Sequence, residues 1–171
     1  MRNVLISKEM TNCFPMPWKH DSTCFNFRCP DEHIRSAEEL GELSDIETLV
    51  ITSGLEDYSF ISGMTGLKYL YIYSGENIRD LSFIENLTDL GHLCLYGTHI
   101  TSLEPLMRLA EKKDKLFFGS DNLFDELRYS VHAVYIDSDC LEFDLKQLGE
   151  YKTLTIAGEF FINRKNYAHK L

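Results

Sequence analysis

The stretch LEDYSFISGMTGL, from Leu55 to Leu67, decides the fold because the chain repeats it. IRDLSFIENLTDL, from Ile78 to Leu90, has the same spacing of apolar residues and carries Asp, Ser-Phe, Ile and Thr at the same places. In both copies an apolar residue occurs at every third position, which is typical of a 3₁₀-like coil. A segment that recurs at a nearly fixed distance predicts a repeat architecture.

A strand-like pattern, L-x-x-L-x-L, recurs with these segments. It begins at Ile46 (IETLVI), Leu67 (LKYLYI) and Leu90 (LGHLCL), at intervals of 21 and 23 residues. The third strand is again followed by apolar residues at every third position: Ile100, Leu103, Leu106 and Leu109. One such unit cannot bury its own apolar side, whereas units stacked side by side build a continuous core and a parallel sheet.

In these three units, from Ile46 to Leu109, the chain resembles the leucine-rich repeat family in its short bacterial internalin-like form. The resemblance implies an α/β solenoid with a parallel sheet on the concave face and irregular, 3₁₀ or short helical return segments on the convex face. The sequence departs from the family after the strand, where the usual Asn is replaced by Gly54, Gly75 and Thr98. We expect glycine to permit the turn through its freedom in φ and threonine to hydrogen-bond locally.

The repeat pattern weakens on both sides of these units, as terminal repeats usually do. We predict a single leucine-rich repeat domain over residues 1–171, with an N-terminal cap at 1–23, regular repeats at 24–109, irregular repeats at 110–158 and a C-terminal cap at 159–171. Upstream, CFNF from Cys24 is predicted as a strand, with Ile34, Ala37, Leu40 and Leu43 in its return segment. The start, MRNVLISKEM, is predicted to pair as an added strand.

Downstream, strands are predicted for VHAVYI from Val131 and YKTLTI from Tyr151. Pro105 is predicted in the first turn of a true helix. KLFF from Lys115 is interpreted as the strand of a further irregular unit, and the final FFINRKNYAHKL as a lid that closes the stack.

Side chains alternate between the two faces of a strand, so Leu67, Leu70 and Ile72 inside predict Tyr69, Tyr71 and Tyr73 outside. Equivalent positions downstream are occupied by His92, Cys94, Tyr96, Phe117, Tyr135 and Asp137. The result is an exposed, tyrosine-rich stripe, and tyrosine is favoured in interfaces because it offers a large area and a polar tip. The alternative is that strands simply favour aromatic residues, with the rings shielding the sheet or lying under a terminal segment.

Composition narrows the function classes. The chain has 171 residues with 17 basic and 27 acidic side chains, a formal net charge of −10. An acidic balance argues against nucleic-acid binding, which needs a basic surface. It suits a basic protein partner, and it is equally explained by solubility alone.

The five cysteines are irregularly spaced without a CxxC pair, and the start of the chain lacks the pattern of an export signal. We therefore expect reduced thiols and a cytoplasmic location. No apolar segment approaches the length of a membrane span.

No catalytic, cofactor or metal signature is present, so we predict no catalytic residue, no cofactor and no metal. His92 and Cys94 have the side chains of a base and a nucleophile, but alternate residues on a strand lie about 6.6 Å apart, too far for a direct hydrogen bond. His92, Cys94 and His132 offer suitable ligand types without any ligand spacing.

The resemblance implies a non-enzymatic protein–protein interaction module that binds a protein on the concave sheet surface. A narrower hypothesis is a bacterial immunity or inhibitor protein that neutralises a toxin or effector. The alternative is a structural or scaffold repeat protein that self-associates within a larger assembly. The sequence leaves the partner's identity and the oligomeric state open.

Overall fold

The computed structural model describes residues 1–8, 30–117, 131–141, 156–163 and 165–166. Within them, one sheet has the spatial order β2-β1-β3-β4-β5-β6-β7-β8. Its strands are β1 (Arg2–Ile6), β2 (Glu32–Ile34), β3 (Ile46–Ile51), β4 (Tyr69–Ile72), β5 (His92–Thr98), β6 (Val131–Ser138), β7 (Ile156–Ile162) and β8 (Lys165–Asn166). The described segments between strands contain 3₁₀ turns at Ala37–Glu39, Ser59–Gly63 and Ser82–Ile84, and the helix α1 (Glu104–Phe117).

The sheet is parallel, as the repeat predicts. All neighbouring strands run parallel except β7 and β8, which are antiparallel. Equivalent residues of the three regular units lie side by side, because Leu49 pairs with Leu70 and Leu70 with Leu93. The intervals of 21 and 23 residues therefore return the chain to the same register.

The main core lies between one face of this sheet and the return segments. Leu67, Leu70 and Ile72 are fully buried there, so the predicted inward set is right. The every-third apolar residues of the return segments pack into the same core, among them Ile61, Met64, Leu81, Ile84, Leu87 and Leu106. Full burial of a leucine or isoleucine side chain stabilises the fold by about 1.5–3 kcal/mol.

The two copies of the opening motif form the same hydrogen-bonded aspartate turn. The Ser59 backbone N–H and hydroxyl donate to the Asp57 carboxylate at 2.8 and 2.6 Å, and the Ser82 N–H donates to Asp80 at 2.7 Å. In each copy the aspartate begins a turn, and the residues after it adopt 3₁₀ geometry. The shared Asp-x-Ser spacing thus has a structural role.

These aspartate turns predict an acid-sensitive contribution to stability. Hydrogen bonding from the Ser59 side chain lowers the pKa of Asp57, and the Ser82 side chain does the same for Asp80. A lowered folded-state pKa contributes stability that is complete above the unfolded pKa of about 4 and is lost as pH falls through the folded value. We expect Asp57→Ala/Asp80→Ala to be less stable at pH 7 and to lose less stability between about pH 4 and pH 2 than the wild type, measured by urea unfolding across pH. Parallel pH profiles for the two proteins would contradict this assignment.

The glycines after the strands are not needed for an unusual φ, contrary to the expectation. Neither Gly54 nor Gly75 has a positive φ, so the predicted use of glycine's φ freedom is wrong. A Cβ on Gly75 would lie 2.8 Å from the Tyr96 carbonyl oxygen and 2.9 Å from the Thr98 methyl carbon. The prediction of a local bond for Thr98 is also wrong, because its hydroxyl donates to the Asp137 carbonyl of the next unit at 2.9 Å.

Gly75→Ala should therefore destabilise the protein, since the neighbouring unit must move to admit a methyl group. We expect a loss of about 1–3 kcal/mol in the free energy of unfolding, measured by urea denaturation. Gly54→Ala is the matched control, because its Cβ would lie 3.5 Å from the nearest atom, a Glu76 carboxylate oxygen. It should be neutral or stabilising by up to about 1 kcal/mol. Equal effects of the two substitutions would contradict the close approach at Gly75.

The amino-terminal edge of the sheet does not follow chain order. β1 forms the added strand that was predicted, but it lies between β2 and β3. Arg2 holds this arrangement through two bonds to the Glu32 carboxylate, at 2.6 and 2.7 Å, and one to the Leu40 carbonyl at 3.0 Å. Ile34 lies in β2, so its predicted place in a return segment is wrong, and the predicted strand at Cys24 lies outside the described residues.

The carboxyl-terminal half confirms some expectations and corrects others. Pro105 stands in the first turn of α1, and β6 starts at Val131, both as predicted. The predicted strand at Phe117 is wrong, because α1 continues through that residue. Of the predicted YKTLTI strand, Ile156 lies in β7 and the residues before it lie outside the described part of the chain. β7 pairs with β8 in an antiparallel hairpin.

Candidate functional site

The second face of the sheet carries its own apolar cluster, separate from the main core. It contains Leu5, Val50, Tyr71 and Cys94, against which Tyr69, Tyr73, Tyr96 and Tyr135 pack. We call this surface the tyrosine face. Leu70 and Leu93, by contrast, belong to the main core, so side chains alternate between the two faces as predicted.

A row of paired residues crosses the tyrosine face. Leu5 pairs with Val50, Val50 with Tyr71, Tyr71 with Cys94, and Cys94 with Tyr135. Neighbouring strands lie about 4.8 Å apart, so these side chains are in reach of one another. We refer to the four buried residues, Leu5, Val50, Tyr71 and Cys94, as the middle row, and Tyr135 lies half-buried at its end.

The predicted exposure of the stripe is wrong at its centre. Tyr71 is 1% exposed and Cys94 is 2% exposed, and Val50 beside them is fully buried. Among the described residues, the tyrosines on either side of the middle row pack against it. Tyr71 and Cys94 therefore belong to a second core. A partner would contact the side chains around them and not these two residues.

The residues flanking the middle row form stacked pairs. Tyr69 stacks on His92 with ring centroids 4.9 Å apart, Tyr73 on Tyr96 at 5.1 Å, and Tyr96 on Tyr135 at 4.5 Å. All five side chains are half-buried, and we call them the aromatic rim. Such stacks fix ring orientation and contribute about 0.5–1.5 kcal/mol each beyond their burial. The rim thus presents rigid aromatic surface with part of it open to solvent.

Asp137 adds a charge at the edge of the rim. It follows Tyr135 by two positions in β6, which places the two side chains on the same face. Its side chain is half-exposed. Of the nine residues predicted for this surface, the structure thus brings eight together and leaves out Phe117, which ends α1.

His92 and Cys94 are not arranged as a base and a nucleophile. Cys94 is buried and His92 stacks on Tyr69. The side chain of His132 lies outside the described part of the structure.

A different polar cluster, which the sequence did not reveal, lies where β5 and β6 end. His99 Nδ1 lies 2.6 Å from Asp139 Oδ1, and the Cys140 thiol donates to the same oxygen at 3.1 Å. His99 Nδ1 and Cys140 Sγ are 3.9 Å apart. Parallel neighbouring strands end at the same edge, so residues 40 positions apart meet in space.

The cluster is not built as a nucleophilic triad. In such a triad the two imidazole nitrogens face different partners, the acid and the nucleophile. Here the same atom, His99 Nδ1, faces both Asp139 and Cys140. The hydrogen bond to Asp139 also raises the pKa of the Cys140 thiol, which keeps it protonated and weakly nucleophilic. The pKa of Asp139 is lowered by the same hydrogen bond and by His99.

Comparison with known proteins leaves the family open. No protein-family model matches the chain, and no curated protein matches it. Among the described residues, no helix has the length and apolar character needed to cross a membrane.

Proposed function

We propose that the chain is a non-enzymatic protein–protein interaction module that binds a protein partner on the tyrosine face. The observation that carries this proposal is the aromatic rim, in which Tyr73, Tyr96 and Tyr135 form one continuous stack beside the Tyr69–His92 pair. Rings already held by stacking lose little conformational entropy on binding, which favours affinity. The buried middle row supports them from below.

We also propose that the units form a leucine-rich repeat solenoid with the tyrosine face on its concave side. The regular return of Leu49, Leu70 and Leu93 to one register supports this, as do the 3₁₀ return segments on the other side of the sheet. In such a solenoid the concave sheet is the extended surface available to a partner.

The partner that fits this surface best is a basic protein. Asp137 adjoins the rim, and the chain as a whole carries a formal net charge of −10. Arginine and lysine side chains bind the faces of tyrosine rings through cation–π contacts worth about 0.5–2 kcal/mol. A cytoplasmic inhibitor that neutralises one basic toxin or effector is the narrower form of this proposal, and Cys94 and Cys140 are free thiols, which agrees with that compartment.

The alternative is a scaffold that self-associates through the sheet edges. The described edge strands argue against it, because β2 has three residues and β8 has two. Edges this short offer few backbone groups to a second copy, and Lys165 adds an exposed charge on β8. The tyrosine face is therefore the stronger candidate.

Affinity capture from the native host with the full chain as bait tests the proposal. Two rim variants are compared with the wild type: Tyr73→Leu/Tyr96→Leu, which removes the rings but keeps apolar volume, and Asp137→Lys, which reverses one charge. Glu56→Lys, an exposed residue of a return segment, is the matched charge control. Circular dichroism confirms that each variant is folded, and solution mass is measured in parallel.

We expect wild type and Glu56→Lys to capture the same basic protein, and both rim variants to bind it at least tenfold more weakly. Capture that is indifferent to both rim variants would overturn the proposal. A stable oligomer of the chain that captures nothing and ignores the rim substitutions would favour the scaffold.

A further inference from the structure

The cluster at the ends of β5 and β6 combines three kinds of metal ligand within a small space. The ligand atoms of His99, Asp139 and Cys140 all lie within 4.8 Å of one another. We propose that these three residues bind a divalent cation of the zinc class through His99 Nδ1, an Asp139 carboxylate oxygen and Cys140 Sγ. Imidazole, carboxylate and thiolate are the ligand types that Zn²⁺ takes in proteins.

The spacing fits a tetrahedral ion after small side-chain movements. With bonds of about 2.0–2.3 Å, the ligand atoms of a tetrahedral zinc site lie about 3.3–3.6 Å apart. The observed separations are 2.6 Å for His99 to Asp139, 3.1 Å for Cys140 to Asp139 and 3.9 Å for Cys140 to His99. Each pair differs from the required distance by less than about 1 Å, within the reach of a rotamer adjustment. Three protein ligands leave the fourth position to water or to a partner's side chain.

The backbone that carries the ligands is fixed by a buried network. Ser138, which is 3% exposed, donates its hydroxyl to the Ile100 carbonyl at 2.7 Å and accepts the Cys140 N–H at 3.3 Å. Its own N–H donates to Asn163 Oδ1 at 2.8 Å. The residue before Asp139 is thus tied both to the chain beside His99 and to the β7–β8 turn.

The backbone of His99 is also held by the preceding unit. Its backbone N–H donates to the Ile78 carbonyl of the preceding unit at 2.9 Å. Both loops are therefore held before any ion binds, which reduces the ordering cost of binding. Preorganisation of this kind distinguishes the cluster from acidic groups that merely share a surface.

The charges balance on binding. The thiol proton of Cys140 leaves to solvent, and the proton of a neutral His99 ring resides on Nε2, so that a thiolate, a carboxylate and a neutral imidazole face the dication. Arg79 is the cation that acts on Cys140 from the neighbouring loop, and its charge opposes the ion. A bound ion would link the β5 and β6 units at the end of the strands that also carry Tyr96 and Asp137.

Cobalt(II) titration of the chelator-treated full chain tests the site, because thiolate coordination gives Co²⁺ a near-ultraviolet charge-transfer band. We expect a band that saturates at one equivalent and is displaced by Zn²⁺. Cys140→Ala and His99→Ala should bind at least tenfold more weakly, whereas Cys94→Ala and His33→Ala should keep wild-type binding. These controls are needed because the chain holds five cysteines and six histidines.

Zinc also provides a second readout that does not depend on a spectrum. Saturating Zn²⁺ should raise the unfolding midpoint of the wild type and of Cys94→Ala, and should leave that of Cys140→Ala unchanged. No charge-transfer band in the wild type, or a band that persists in Cys140→Ala, would overturn the proposal. So would a zinc-induced rise of the midpoint that Cys140→Ala retains.

Discussion

Tyr71→Ala should lower the free energy of unfolding by about 3–5 kcal/mol, the usual cost of truncating a buried aromatic side chain. The side chain is 1% exposed and sits between Val50 and Cys94 in the middle row. Its removal would leave a cavity under the aromatic rim, which cannot collapse because its rings are held by mutual stacking. Urea unfolding followed by circular dichroism measures the change.

Tyr96→Ala is the matched comparison for this prediction. Tyr96 lies on the same face two positions after Cys94, but it is half-exposed. We expect it to cost about 1–3 kcal/mol, mainly from the loss of its stacks on Tyr73 and Tyr135. If Tyr71→Ala costs no more than Tyr96→Ala, the middle row is not a second core.

Leu70→Ala should have an effect of similar size from the opposite face of the same strand. Leu70 is fully buried between Leu49 and Leu93 in the main core. Truncation of a buried leucine costs about 2–5 kcal/mol, and the rigid strands on both sides favour the upper half of that range.

Leu70→Met is the control for this substitution, because it nearly conserves volume and should cost less than about 1.5 kcal/mol. Thermal and urea unfolding of both variants provide the measurement. A loss below about 1 kcal/mol for Leu70→Ala would show that the leucines of the repeat do not form the core of the stack.

The sequence predicts on which face of the sheet a side chain lies better than it predicts whether that side chain is buried. A period of two residues assigns Leu70 and Tyr71 to opposite faces, and the structure agrees. The same pattern carries no information on what packs against each face, so the burial of Tyr71 and Cys94 could not be predicted from it. An aromatic residue in a strand gives the same sequence pattern whether its ring is exposed to solvent or buried.

Two further misses have local physical causes. The apolar run at Phe117 suits a buried strand and a helix equally well, and the preceding helical turns from Glu104 decide in favour of the helix. Gly75 is required by the close approach of Tyr96 in the next unit, a tertiary contact that a turn pattern cannot contain.

The cluster of His99, Asp139 and Cys140 could not be predicted from the sequence for a related reason. Spacing signatures detect ligands that lie close in the chain, such as pairs two to four residues apart. These ligands come from loops after two neighbouring strands and meet only because the strands pair in parallel register. Once the register is known, the carboxyl ends of β5 and β6 are the natural place to search.

The tyrosine face combines a closed middle row with an open aromatic rim. Nitration of the folded protein with tetranitromethane, followed by tandem mass spectrometry, tests this claim most directly because it reports each tyrosine separately. We predict that Tyr69, Tyr96 and Tyr135 are modified well before Tyr71, which should react only after unfolding. Modification of Tyr71 in the folded chain as fast as Tyr96 would contradict the account.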